Sequence, residues 1–332
     1  MERGLPDDDT VKAALVLSGR APSVHNVQPW RWRVADHSIH LYLDTGRALP
    51  ATDPDYRDIV ISCGAALHHL SVALTAMGWA PVIRRIPDPA APDHLAALTL
   101  VPHRPTALDI ELSKAITVRR TDRRHFTSWP VPPGYLGLFT ERAAVLGAVV
   151  RRIGDRERVK AAARQADRIH AADESYRFEL AMWSGRHSSA DGVPARNVPP
   201  GGPADDFPPR AYAAAEFTDP AGGPDHAELL VIGTGADDRL SRLRAGEAIS
   251  SVLLTATGIG LATCLLTEPL EVATERAEIR NDLLSDTIYP QAFLRVGWAP
   301  DSADLPPETP RRRIEDLMIG EDEVSDDQQL QP

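Results

Sequence analysis

Ser23, His25, Asn26 and Gln28 fall within six positions of "APSVHNVQPW" (21–30), between Pro22 and Pro29. A turn needs one or two small polar residues. Four different hydrogen-bonding side chains, held where prolines restrict the backbone, suit a grip on a polar, planar ligand. His25 has two readings, a place beside a substrate pocket or a loop histidine bonded to the backbone. Two basic clusters supply the complementary chemistry, "VRRTDRRHF" (118–126) and "TPRRRIEDL" (309–317). Arginine outnumbers lysine 33 to 3, so an anion site here would use guanidinium forks with two-pronged geometry. The bland alternative for 118–126 is a solvated charged helix face, and Asp122 is placed to orient Arg119 or Arg123.

These residues need elements to position them. Val11, Ala14, Leu15 and Leu17 give residues 11–20 a helical apolar face, with Thr10 as its expected cap and Pro22 as its end. "WRWRV" and "SIHLYLD" alternate as an antiparallel hairpin closing near Asp36, with Trp30 packed inward. A long apolar helix is predicted at about 56–78, followed by strands in "PVIRRI" and "HLAALTLV". The second half repeats this plan. Aligning 64–80 with 246–262 matches Gly64 to Gly246, Ala66 to Ala248, Thr75 to Thr257, Gly78 to Gly260 and Ala80 to Ala262. Either two core helices are alike by chance, or two related units are fused face to face. "AELLVIGTG" and "AFLRVGWAP" supply second-half strands. Residues 184–225, with eight prolines and six glycines, read as an irregular lid or linker, and 321–332 as a flexible acidic tail.

Composition removes several function classes. A net charge of −11 opposes nonspecific binding to nucleic acid and to anionic membranes. No apolar run approaches the roughly 18 to 20 residues of a membrane span, and the N-terminus lacks signal-peptide features, which points to the cytoplasm. Cys63 and Cys264 suit buried apolar roles, not a disulfide framework. The histidines at 37, 40, 68 and 69 lack metal-site spacing, so no metal is expected, and "GTG" (233–235) lacks the dinucleotide fingerprint.

"APSVHNVQPW", "RRTDRRHF" and "PRRRIEDL" together resemble the nitroreductase family of FMN enzymes, specifically its Acg-type branch. The resemblance implies an α+β nitroreductase-like fold, two related units fused in one chain, with central antiparallel or mixed sheets flanked by helices. Residues 1–110 would form the first unit and 111–320 the second, the latter carrying the 184–225 insertion. Family members of the ordinary kind place the Arg motif before the Asn motif and build each flavin site from two subunits. Here the order is reversed, and opposite "APSVHN" the second half has "RAAVLG" (142–147), which implies one FMN per chain and a monomer resembling a dimer, or a further homodimer. The same resemblance assigns Arg119, Thr121 and Arg311 to the phosphate, with Arg120 and Arg312 as helpers, and Arg123 to the N1 and C2-carbonyl side of the ring. Ser23, His25, Asn26 and Gln28 would contact the flavin across the seam, and the turn at Leu266, Thr267 and Glu268 would face N5. The implied activity is hydride transfer from NAD(P)H through flavin to a small acceptor such as a quinone or nitroaromatic. No catalytic acid or base is assigned, because the flavin carries the chemistry. The rivals are an FMN-storing protein whose lid excludes turnover, and a specialised flavin dehydrogenase or flavin-fragmenting activity.

Overall fold

Asp7, not Thr10, caps the first helix: its carboxylate accepts from the Thr10 backbone amide at 2.8 Å. Acids at positions 8 and 9 then lie at the positive end of the helix dipole, so initiation moves upstream of the expected cap. This computed structural model describes residues 6–185, 189–200, 207, 210–212, 215–219, 224–300 and 304–320. The acidic tail 321–332 and parts of the 184–225 insertion lie outside the described residues.

The first half contains helix α1 (Asp8–Ser18), the hairpin β1 (Trp30–Ala35) and β2 (Ser38–Leu43), helix α2 (Arg57–Ala76), strands β3 (Trp79–Arg85) and β4 (His94–Pro102), and α3 (Ala107–Val118). The second contains α4 (Pro133–Val145), β5 (Val149–Arg152), α5 (Arg156–Ala172), α6 (Glu174–Met182) and the short parallel pair β6 (Ser184–Gly185) and β7 (Val193–Pro194). It continues through β8 (Glu228–Thr234), α7 (Arg239–Gly258), β9 (Ala262–Leu266), α8 (Glu268–Glu271), α9 (Ala273–Leu284), β10 (Tyr289–Gly297) and α10 (Ile314–Leu317).

The expected hairpin forms, with Ala35 opposite Ser38. Its alternation buries Trp30, Trp32, Ile39 and Leu41 against α2. Two four-stranded antiparallel sheets result, ordered β1-β2-β4-β3 and β5-β8-β10-β9. Each sheet therefore follows the same rule, first-second-fourth-third, with one long helix between its second and third strands. Those helices, α2 and α7, pack on each other through Gly64 and Gly246. A Cβ on Gly64 would meet the Leu243 carbonyl oxygen at 2.0 Å, and one on Gly246 would meet the Ile61 carbonyl oxygen at 1.9 Å. The two contacts are mirror copies in sequence, each reaching a residue three positions before the partner glycine.

By length and composition alone α2 could cross a membrane, but 83% of its most apolar window is buried inside the protein, as in a core helix. The chain finally returns to its beginning: Trp32 bridges to Met318, and the Ile319 amide donates to the Trp32 carbonyl at 2.8 Å. Residues 304–320 of the second half thereby lie beside the segment 22–28.

Candidate functional site

The polar segment after α1 holds a costly backbone. His25, Asn26 and Gln28 have φ of 45°, 55° and 51°, the left-handed region that non-glycine residues rarely enter. Such strain clusters where side-chain placement matters. Local bonds hold it: Ser23 Oγ accepts from the Gln28 amide at 3.0 Å, and the Val24 amide donates to Ser62 Oγ of α2 at 3.1 Å.

These turns send the four side chains to different places. Ser23 and His25 face a cavity of about 1080 Å³, counting its mouth. Its first-half wall includes Asp58, Ile61, Ser62 and Ala65, one face of α2; its second-half wall includes Thr121, Arg123, Leu266 and Thr267. Pro22, Ser23, His25, Thr121 and Arg123 also bound an adjoining lobe of about 640 Å³, where Asn26 from the first half meets Arg119 and Arg311 from the second. The site thus lies in the seam between the halves. Asn26 Nδ2 donates to the Gly192 and Pro310 carbonyls at 3.0 and 3.1 Å, joining three distant stretches of chain.

Gln28 and Arg312, expected among the ligand contacts, line neither lobe. The Gln28 backbone turns its side chain beneath the 190s loop: Nε2 donates to Asn26 O and Ala190 O, and Oε1 accepts from the Arg312 amide at 2.8 Å. Arg312 spends its guanidinium on Gln28 O, Asp44 and Asp316 O, so it ties the C-terminal segment to the hairpin. Both position the site without touching its interior.

The smaller lobe is a cationic cluster. Arg20, Arg119, Arg120 and Arg311 line it with one acid, Glu308. Glu308 is largely exposed and pairs with Arg20 at 2.9 Å and Arg120 at 2.7 Å. The guanidinium of buried Arg119 has no hydrogen bond or ion pair among the described residues, and its Nε is enclosed without a partner, as are those of Arg120 and Arg311. Burial, followed by the charges of Arg120 and Arg20, pushes Arg119 down to about 10. Burial and the same neighbours, Arg119 foremost, push Arg311 down to about 9. Uncompensated guanidiniums gathered out of water are costly unless an anion joins them. The donor set matches a phosphate.

The larger lobe contains residues that sequence reasoning passed over. Phe207, Arg210 and Tyr212 reach it from the Pro/Gly-rich insertion. Arg210 is anchored by a buried ion pair with Glu271 and by bonds to Tyr176 Oη and Thr267 Oγ1, each 2.9 Å. Thr267 Oγ1 in turn donates to Glu271 at 2.9 Å, and Glu268 meets His170 Nδ1 at 3.2 Å. Tyr212 Oη lies 3.2 Å from His25 Nδ1 and its ring 5.5 Å from the Arg123 guanidinium. His25 therefore faces the cavity instead of capping a backbone carbonyl. Burial first, then the Arg210 and Arg123 charges, pushes it down to about 3, so it is neutral near pH 7. Nothing in an aperiodic insertion marks Arg210 or Tyr212 in advance; Asp58, in the first turn of an apolar helix, is masked by the core pattern around it.

No family model matches the chain. Among curated proteins it is 46% identical to "Putative NAD(P)H nitroreductase Rv3131" of Mycobacterium tuberculosis, over 98% of this chain and 95% of that protein. It is 37% identical to the protein of the same designation called acg, over 93% and 95%. Solved structures with a more distant likeness include a nitroreductase with bound FMN from Bacteroides fragilis (14% identity, 60% of this chain and 94% of that one, TM-score 0.39) and another from Desulfitobacterium hafniense (15%, 60% and 94%, 0.39). With the mycobacterial relatives matched along nearly their whole length, the chain belongs to the nitroreductase-like family that includes Rv3131 and acg.

Proposed function

We propose that the chain is a cytoplasmic FMN-dependent oxidoreductase, with one flavin per chain in the seam between two related units, residues 1–110 and 111–320. The observation that carries this reading is the Arg119 guanidinium, without a partner among the described residues, beside Arg311, which bonds only to backbone carbonyls, in a lobe walled by both halves. A phosphate dianion fits there, held by Arg119 and Arg311 with Arg20, Arg120 and Thr121 beside them. Each charge-assisted bond contributes about 1.5–3 kcal/mol. Ser23, Arg123, Leu266 and Thr267 would hold the ring in the larger lobe. When bound, the flavin supplies hydride transfer between NAD(P)H and a small acceptor such as a quinone or nitroaromatic. The protein binds, orients and shields it. Arg123 places positive charge beside the lobe, which favours an anionic reduced ring.

A second reading is favoured by the insertion. Phe207 and Tyr212 occupy the cavity wall and Arg210 is pinned to Glu271, an arrangement that suits a cover over a stored flavin. One experiment separates the two. The purified protein should give a yellow 1:1 FMN complex, and anaerobic NADH or NADPH should bleach it. Bleaching by dithionite alone would favour storage, and the double variant Phe207→Ala/Tyr212→Ala should then admit the nucleotide. Protein that takes up no FMN defeats both readings.

A further inference from the structure

Two carboxyls flank Arg57 at the start of α2, and they are treated differently. Asp53 accepts from the Ile59 amide at 2.9 Å and is also bonded by the Asp58 backbone, which suits a carboxylate. Among the described residues neither oxygen of Asp58 has a hydrogen-bond donor, although both are buried and Asp58 lines the cavity. Arg57 Nη2 lies 2.6 Å from Asp58 Oδ1 but off the direction of its N–H bonds, and its Nη1 is spent on the Gln291 carbonyl at 2.7 Å. One buried cation therefore stands between two buried acids, and the proton belongs on the acid that lacks donors.

We propose that Asp58 is a catalytic acid of this site, holding a proton on its carboxyl and giving it to the oxygen of an acceptor reduced in the cavity. The proposal rests on the flavoprotein reading and narrows the acceptor to compounds whose reduction leaves charge on oxygen, quinones foremost. For a quinone, hydride brings two electrons and one proton. The Asp58 O–H bond breaks, a new O–H bond forms on the quinone oxygen, and the hydroquinone is complete. The carboxylate left behind is held beside Arg57 until water returns a proton.

The groups that face Asp58 are Arg57 and Asp53 from its own helix start, Glu271 of α8 and Arg210 of the insertion. Burial outweighs the attraction of Arg57, the two acids add to it, and Arg210 opposes them; the carboxyl is pushed up to about 8. Such a group is an acid poised near neutral pH, and general acids of this kind contribute roughly 100-fold or more to rate.

The test uses FMN-loaded wild type and Asp58→Asn, whose amide copies the shape of the neutral acid. Infrared difference spectra between pH 6 and pH 10 should show a protonated carboxyl band that titrates in wild type and is missing in Asp58→Asn. Dithionite-reduced protein is then mixed with a benzoquinone or with ferricyanide, which takes electrons without a proton. The ratio of quinone to ferricyanide rates should fall about 100-fold in Asp58→Asn, and in wild type it should decline as pH rises past about 8. If the variant does not fold, the wild-type pH profile and its slowing in deuterium oxide decide. Wild type that binds FMN and is bleached by NAD(P)H, yet shows no titrating band or no change in the rate ratio, overturns the role of Asp58 alone. Wild type that binds no FMN overturns the flavoprotein reading beneath it.

Discussion

The two four-stranded sheets share one strand order, and the residues at matching positions of their long helices and third strands have opposite character. Continuing the alignment of α2 with α7 pairs Ala65 with Glu247 and Thr267 with Arg85. Ala65 and Thr267 line the cavity. Glu247 and Arg85 instead grip each other, Nε to Oε2 at 2.6 Å and Nη2 to Oε1 at 2.8 Å, with the carboxylate buried. We infer that the second seam is closed by this pair, a large ion-paired couple standing where the first seam has a methyl and a small hydroxyl. The loop before β1 carries Ser23, His25 and Asn26, while the stretch before β5 offers Arg142 to Gly147 without a comparable polar set. On the proposed reading of two related units, side-chain volume and charge leave one of the two seams open.

The axis shared by both seams is the place to break the comparison most severely. Gly246→Ala drives a methyl into the Ile61 carbonyl, and neither helix backbone can yield without separating α2 from α7. A loss of about 3 kcal/mol is expected, at the upper end for overpacking, read as a fall in the urea midpoint. Gly258→Ala, on the same helix with nothing within 4 Å of its added methyl, is the control and should leave the midpoint unchanged or raise it.

Copying the plug into the open seam comes next. Ala65→Glu places a carboxylate against the proposed flavin position, and FMN affinity should fall at least about 100-fold, roughly 2.7 kcal/mol. Equilibrium dialysis of the folded variant measures it; retained affinity would refute the proposed equivalence of Ala65 and Glu247.

Arg119→Met sharpens the account of the open seam because two effects of opposite sign are expected. FMN binding should weaken by about 1.5–3 kcal/mol, the value of a charge-assisted bond. Thermal stability of the flavin-free protein should rise, since a buried cation with no partner among the described residues has been removed. A fall in both would mean that Arg119 is structural.

Much of this arrangement was legible before any coordinates. The hairpin and α2 follow directly from periodicity, because burial of one face writes itself into residue order. Gly64 and Gly246 were matched as sequence positions, and the structure gives the match a cause in backbone contact. The basic clusters were legible as concentrated positive charge, and the structure gathers Arg119, Arg120 and Arg311 at one lobe. The direction of the Gln28 side chain was not legible, because it depends on left-handed backbone at 25, 26 and 28, and that of Arg312 was not, because Asp44 and Asp316 meet it only in the fold. Arg210, Tyr212 and Glu271 meet only through the insertion, where no period exists to be read.

Protonation offers the finest comparison between the open seam and the helix axis. His25 lines the open seam; His68 and His69 sit at the axis, both bonded to Ser250 Oγ at 2.8 Å. All three have values pushed below the usual histidine range by burial, His25 to about 3 and His68 to about 4. Below pH 6.5 the unfolded chain takes up protons that the folded chain refuses, so stability falls as pH falls. Each such histidine contributes about 1 kcal/mol of loss between pH 6 and pH 5. His25→Asn should remove one such share in the flavin-free protein, measured as a smaller drop in the urea midpoint across that interval. The charges of Arg119 and Arg311 help to hold His69 down, whereas the charged neighbour of His68 is Arg142, so a phosphate dianion at Arg119 and Arg311 should shrink the His69 share and leave that of His68 nearly constant. Equal responses at His68 and His69 would show that the phosphate does not sit at Arg119 and Arg311.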